Sequence, residues 1–162
     1  MQEPATSFSN AALKIIWANE HIKQLHAQIE RFNATQPYEV VRKRDSNTGK
    51  ETLEINQTKP LPHAIALATG DACANLRSAL DYAWMGLVRA ADPQAKDKKT
   101  LPIGNNREDL AAKIKNAPIG VAKSRAHAVL VDQVRAHRDA ADGGNLRLAA
   151  LNKLSNWNKL ID

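Results

Sequence analysis

The chain has 162 residues, of which 43% are hydrophobic and 25% charged, and its formal net charge is +6. This length and composition predict one globular domain, 1–162, and exclude a largely disordered chain. A single cysteine, Cys73, excludes an internal disulfide, and no apolar run reaches the about 20 residues of a membrane span. The first residues lack the basic start and apolar core of a signal peptide. We therefore predict a cytoplasmic location, where thiols stay reduced.

The first predicted element is a long helix. Its apolar side chains recur alternately three and four residues apart, which is typical of a narrow seam that packs lengthwise on another helix. Asn33 and Pro37 mark its end, because the residue before a proline avoids the helical region. The seam packs either within the chain or against a second copy. Its members are Phe8, Ala11, Ile15, Ala18, Ile22, Leu25, Ile29 and Phe32.

A β-hairpin is predicted at about 38–57. Two runs of alternating character, 38–44 and 51–56, flank a turn-rich stretch in which Gly49 can supply a positive φ. An isolated two-stranded hairpin is marginally stable in water, so it must pack on the helices or on another chain. Its first strand is basic and contains Arg42, Lys43 and Arg44.

A second long helix is predicted from about Ala64 to Ala90, with a wide apolar stripe that favours a central position. Asn106 followed by Asp109 is typical of the capped start of a short helix. The fold class is therefore mainly α, a helical bundle of two long and about three shorter helices with the hairpin inserted. The remaining apolar faces are Ala126, Val129, Leu130 and Val134 in the fourth helix, and Ala150, Leu151, Leu154, Trp157 and Ile161 in the last.

Residues 70–84 read Gly-Asp-Ala-Cys-Ala-Asn-Leu-Arg-Ser-Ala-Leu-Asp-Tyr-Ala-Trp, which resembles a motif in a family of uncharacterised bacterial and phage proteins. Residues 101–103 and 151–160 resemble two later segments of that family. The motif is also similar to that of the HEPN superfamily, helical bundles that often act on RNA and commonly form homodimers. The resemblance implies that 1–162 is a single HEPN-like helical domain.

The expected catalytic histidine is missing from this motif. HEPN ribonucleases place a histidine four to six residues after an arginine, so that one moves a proton and the other stabilises charge on phosphorus. Here Tyr82 stands where a histidine would follow Arg77, and Ala74 and Leu160 stand where the family has its others. The resemblance therefore implies a non-catalytic member. A weak ribonuclease that uses Arg77 with Tyr82 or a distant histidine is one functional hypothesis, ranked after the two binding functions given below.

The polar residues of the second helix have two interpretations each. Arg77 and Asp81 form either an ion pair that fixes helix packing or a phosphate-facing arginine held by Asp81. Asp71 with Asn75 is either a hydrogen-bonding device or an acid–base pair, and Tyr82 completes this polar motif. No cofactor is predicted. No metal is predicted either, because the histidines lack zinc-site spacing: His21, His26, His63, His127 and His137.

The positive charge favours an acidic partner. We predict a non-catalytic module that binds RNA or a nucleic-acid-containing assembly through phosphate groups, since the seven aromatic residues leave little for base stacking. The alternative is a protein-interaction or homodimerisation module of a phage or mobile element. The basic residues form either one phosphate-binding surface or a solvated face. They are Arg42, Lys43, Arg44, Lys113, Lys115, Lys123 and Arg125.

Overall fold

The computed structural model describes residues 4–95, 100–116 and 125–158. It is mainly helical, with two long helices, several shorter ones and a β-hairpin inserted after the first, as predicted. No helix in these ranges is long and apolar enough to cross a membrane. The elements are α1 (Pro4–Ala34), β1 (Tyr38–Arg44), β2 (Glu51–Gln57), α2 (His63–Ala91), α3 (Arg107–Lys115), α4 (Arg125–Ala128), a π-helical segment (Val129–Val134) and α5 (Leu146–Asn158).

Helices α1 and α2 pack antiparallel through small side chains. Ser7 contacts Arg89 near one end of the pair, and His21 approaches Asp71 further along. Small residues allow two helix backbones to approach closely, because the distance between helix axes depends on the side chains between them. The buried alanines of this interface are Ala11 and Ala18 on α1, and Ala68, Ala72 and Ala79 on α2.

The contact face of α1 is rotated relative to the predicted seam. Ala11, Ala18 and Phe32 are buried as expected, but Phe8 and Ile15 are 43% and 47% exposed. The ring of Phe8 nevertheless packs against Gly86 of α2, so its predicted contact with that helix is present. The seam prediction is wrong at Ile15, and Ile29 is 38% exposed as well. The spacing of apolar residues in α1 could not show this, because the choice of face depends on what α2 presents.

Polar side chains of α1 occupy the seam where α2 offers them partners. Ser7 is fully buried, and its hydroxyl accepts a hydrogen bond from Nη1 of Arg89 at 3.0 Å. Nζ of Lys14 donates to Oδ1 of Asn75 at 3.1 Å. Ser7 therefore lies inside the helical interface and acts as a packing residue. These two cross-helix bonds favour the observed rotation over the more apolar alternative.

The hairpin has a regular antiparallel register that runs from Tyr38 opposite Gln57 to Arg44 opposite Glu51. Its turn is held by the Asp45 carboxylate, which accepts the backbone N–H groups of Asn47 at 2.7 Å and of the next residue at 3.1 Å. These two donors hold the pKa of Asp45 below its ordinary value. Gly49 adopts the predicted positive φ, at 70°.

A separate hydrophobic core covers the C-terminal half of α2. Asn106 caps α3 as predicted, with its side-chain oxygen accepting from the backbone N–H of Asp109 at 2.8 Å. In α5 the buried face differs from the prediction, because Leu154 is 48% exposed and Ser155 only 3%. The side chains of Ala126 and Trp157, and residue Ile161, lie outside what is described. The core comprises Trp84, Val88, Leu101, Leu110, Ile114, Leu130, Val131 and Ala136.

Enlarging a buried alanine of the α1–α2 contact should destabilise the fold. Ala18 is fully buried, so the Ala18→Leu substitution should lower the free energy of unfolding by roughly 1–3 kcal/mol through overpacking. Urea denaturation followed by circular dichroism measures the change. The matched control is Ala12→Leu on the exposed side of the same helix, which should change stability by less than about 0.5 kcal/mol. Equal effects at both positions would contradict close packing at Ala18.

Candidate interaction surface

The central pair of the polar motif, Arg77 and Asp81, fastens the chain after α2 to that helix. Nη2 of Arg77 lies 2.9 Å from Oδ1 of Asp81 and also donates to the carbonyl oxygen of Leu101 at 2.9 Å. The backbone N–H of Leu101 donates to the same carboxylate oxygen at 2.9 Å. The two side chains are only 13% and 22% exposed. This geometry supports the packing interpretation of the pair.

The rest of the motif links α2 to α1 and to itself. The side-chain amide of Asn75 donates to the carbonyl of Asp71 at 2.9 Å while its oxygen accepts from Lys14. The carboxylate of Asp71 is 57% exposed and lies 4.0 Å from Nδ1 of His21. Tyr82 is half-buried on the same helix. These contacts position two helices and do not surround a common reaction centre.

Metal and thiol chemistry gain no support from the described parts of the chain. There, no group of three or more His, Cys, Asp or Glu side chains is arranged to hold a metal ion. Burial raises the pKa of the Cys73 thiol, which favours the protonated and unreactive form.

The basic candidates lie in separate places. Three are on β1, while Lys113 and Lys115 are on α3 and Arg125 begins α4. Lys123 lies outside the described ranges. Because α3 packs near Trp84, which is some twenty residues along α2 from the hairpin, the two groups are separated by roughly 30 Å of helix. The structure therefore does not bring all the candidates to one surface.

Acidic neighbours neutralise much of this basic charge. Nζ of Lys43 lies 2.6 Å from Oε2 of Glu54, and Nη1 of Arg42 lies 3.8 Å from a Glu51 carboxylate oxygen. Residues 38–57 contain four basic and four acidic side chains, so the hairpin has no net charge. A phosphate backbone would find no excess of positive charge there.

On α3, Lys113 is likewise engaged by its neighbours. Its Nζ donates to the carbonyl of Ile103 at 3.0 Å and to the Asp109 carboxylate at 2.9 Å. The hydrogen bond from Lys113 and that from the backbone N–H of Asn105 hold the pKa of Asp109 below its ordinary value. Lys115 and Arg125 are exposed.

The largest unexplained feature is an exposed apolar face on the hairpin. Strand alternation and register place Tyr38 and Val40 of β1 on the same face as Leu53 and Ile55 of β2. These four side chains, which we call the hairpin apolar face, are 52%, 63%, 68% and 73% exposed respectively. Together they form a patch of the order of several hundred Å², the size that marks interaction sites on proteins. The strands were predicted from sequence, but the exposure of this face was not.

A second apolar group lies on α1, on the side away from α2. Leu13, Ile16 and Trp17 share that side of the helix because they are three and four residues apart, and each is more than half exposed. In the sequence they stand outside the predicted seam and were therefore not singled out. Because of these three residues, the hydrophobic surface of α1 is wider than its contact with α2 requires.

No protein-family profile, curated protein or solved structure matches the chain. A function is therefore argued from these surfaces alone.

Removing the charge of Asp81 should destabilise the fold, because it leaves the buried Arg77 guanidinium without its carboxylate. For Asp81→Asn we expect a loss of about 1–2 kcal/mol in the free energy of unfolding, measured by urea denaturation. Asp71→Asn is the matched control on the same helix, and its effect should stay below about 0.5 kcal/mol because that carboxylate is mostly exposed. If Asp81→Asn left the free energy of unfolding unchanged, the Arg77–Asp81 pair would have no anchoring role.

Proposed function

We propose that this chain is a protein-interaction module that self-associates through the hairpin apolar face. The observation that carries the proposal is the exposure of Tyr38, Val40, Leu53 and Ile55 on one side of a two-stranded hairpin. Such a hairpin is marginally stable in water, and covering the face would stabilise it. Burying the part of each side chain that is still exposed would contribute roughly 1–2 kcal/mol.

A second copy of the chain is the occupant that the charges favour. The hairpin has equal numbers of basic and acidic side chains, and the Lys43–Glu54 pair lies on the polar face. The strand register puts Arg42, Arg44 and Glu51 on the apolar face as well, next to the turn, and Arg42 lies 3.8 Å from Glu51. Because the charges on this face are of both signs, two copies can meet with opposite charges beside each other. In a dimer with a twofold axis, the same face of each copy forms the contact. One apolar face per chain is therefore sufficient for self-association.

Strand pairing can add to this contact. Within the described ranges, β1 and β2 form a two-stranded sheet with each other and no other strand. Each strand therefore has one open edge of backbone N–H and C=O groups, which readily pairs with another chain.

RNA binding is the second candidate function. Its support is the net charge of +6 together with the exposed Lys115 and Arg125, which lie away from the neutral hairpin. On that proposal the hairpin is not the phosphate-binding element. The resemblance to HEPN-like bundles is compatible with both functions and stays a prediction.

Replacing one residue of the hairpin apolar face by a charged one should weaken self-association. We expect the wild type to sediment as a dimer of twice 17.8 kDa, with little change between about 0.05 M and about 0.5 M salt. Leu53→Glu should raise the dimer dissociation constant at least about tenfold, because a carboxylate would have to be buried. Analytical ultracentrifugation measures both.

The matched control is Thr52→Glu, which adds the same charge to the neighbouring residue of β2. Thr52 is on the opposite face of the hairpin, so the dimer should persist. A wild type that stays monomeric at high concentration would contradict self-association. Equal weakening by Leu53→Glu and Thr52→Glu would exclude the apolar face as the contact.

RNA binding predicts a different pattern in a fluorescence-anisotropy titration of labelled single-stranded RNA. Its affinity should fall steeply with salt, and a Lys115→Glu/Arg125→Glu double variant should lose more affinity than Arg42→Glu. From the neutral charge of the hairpin we expect Arg42→Glu to have almost no effect. No binding at low salt would exclude RNA binding as the function.

A further inference from the structure

A polar cavity of about 320 Å³ lies where α3, the π-helical segment and the loop before α5 meet. Its volume is within the range of pockets that bind small molecules. It has no connection with the hairpin or with the proposed self-association. Sequence analysis did not single it out. The lining residues are Arg107, Val131, Asp132, Arg135, His137 and Asp142.

His137 is the first sign that the cavity is a binding site. Its side chain is 1% exposed, yet in the described part of the chain neither Nδ1 nor Nε2 has a hydrogen-bond partner. Burying an unpaired polar group destabilises a protein, so such a group needs an explanation. Gly144 packs so tightly against His137 that an added Cβ would lie 2.5 Å from its carbonyl oxygen and 2.7 Å from Nδ1. The ring is therefore held firmly in place.

The backbone beside the cavity is strained. Arg135 ends the π-helical segment in the left-handed conformation, with φ 52° and ψ 50°. This conformation is unfavourable for a residue with a long side chain, and single π-helical turns occur frequently at functional sites. The side chain of Arg135 is oriented by a hydrogen bond, in which its Nε donates to the carbonyl of Asp132 at 3.0 Å. An arginine held this way is preorganised to bind a ligand.

The other charged residues of the cavity are one arginine and two aspartates. Arg107 forms an ion pair with the Asp132 carboxylate through its Nη2. The backbone N–H of Arg107 donates to Oδ2 of Asp142 at 3.3 Å. Arg107 therefore contacts one carboxylate through its side chain and the other through its backbone N–H, which leaves the Nη atoms of Arg135 and the ring of His137 as the groups of the cavity available to a ligand.

We infer that this cavity binds a small organic phosphate, whose phosphate group is held by Arg135 and His137. Arginine suits phosphate because its planar guanidinium can donate two parallel hydrogen bonds. An imidazole ring also carries an N–H donor when it is neutral. The cavity is larger than a bare phosphate ion, so it has room for the organic part of the ligand. Asp132 and Asp142 line the same cavity, and their carboxylates disfavour a highly charged polyanion.

The experiment is a thermal-shift titration of the whole protein with adenosine 5′-monophosphate, glycerol 3-phosphate and inorganic phosphate at matched ionic strength. At about a hundred times the dissociation constant, an organic phosphate should raise the melting temperature by about 5–10 °C. Arg135→Gly should abolish the shift. The same variant should keep or raise the melting temperature of the free protein, because glycine adopts a positive φ without strain.

His137→Leu and Arg138→Gln complete the design. His137→Leu should also abolish the shift without lowering stability, because it removes the unpaired polar ring from a buried site. Arg138 is exposed and does not line the cavity, so Arg138→Gln should keep the wild-type shift. The absence of a saturable shift with every probe, or an undiminished shift in Arg135→Gly, would overturn the inference. Saturation by inorganic phosphate alone would overturn its assignment to an organic phosphate.

Discussion

The close contact between α1 and α2 determines where everything else in this protein lies. Alanines on both helices bring the backbones together, and Ser7 and Lys14 add hydrogen bonds across the interface. Helix α2 contacts α1 and also contributes Trp84 and Val88 to the C-terminal core. One helix therefore connects two sets of contacts. The hairpin at one end and the polar cavity at the other are separated by the length of α2, whose 29 residues span roughly 43 Å.

The ends of the elements were largely predictable because they depend on local chemistry. The second helix runs from His63 to Ala91, within a residue of the predicted limits at each end, and Asn106 caps α3 as its side chain suggests. The face of α1 was predicted less well. Which face a helix buries depends on its partner: Arg89 of α2 donates a hydrogen bond to the buried Ser7, and Gly86 of α2 leaves room for the ring of Phe8.

The candidate sites show the same limit. The spacing of Arg77 and Asp81 indicated an ion pair, but only the fold reveals that both bind the backbone of Leu101. The cavity was not found from the sequence because its residues come from three segments, and neither Arg135 nor His137 belongs to a recognisable motif. Gly143 and Gly144, in the loop before α5, are typical of a turn and by themselves indicate no site. The close packing of Gly144 against His137 is a tertiary contact, which the sequence alone does not show.

The way the hairpin is attached has a consequence for how the chain can change over time. The backbone N–H of Thr58 donates to the carbonyl of Pro37 at 2.8 Å, and the rings of Phe32 and Tyr38 meet edge to face at the base of the strands. The two long helices are thus joined, in effect, by a short clamp, and the strands beyond it are an appendage. Residues can be inserted or deleted in cross-strand pairs beyond the clamp while the helices keep their positions. Descendants of one ancestral bundle could in this way acquire different partners without redesigning their cores.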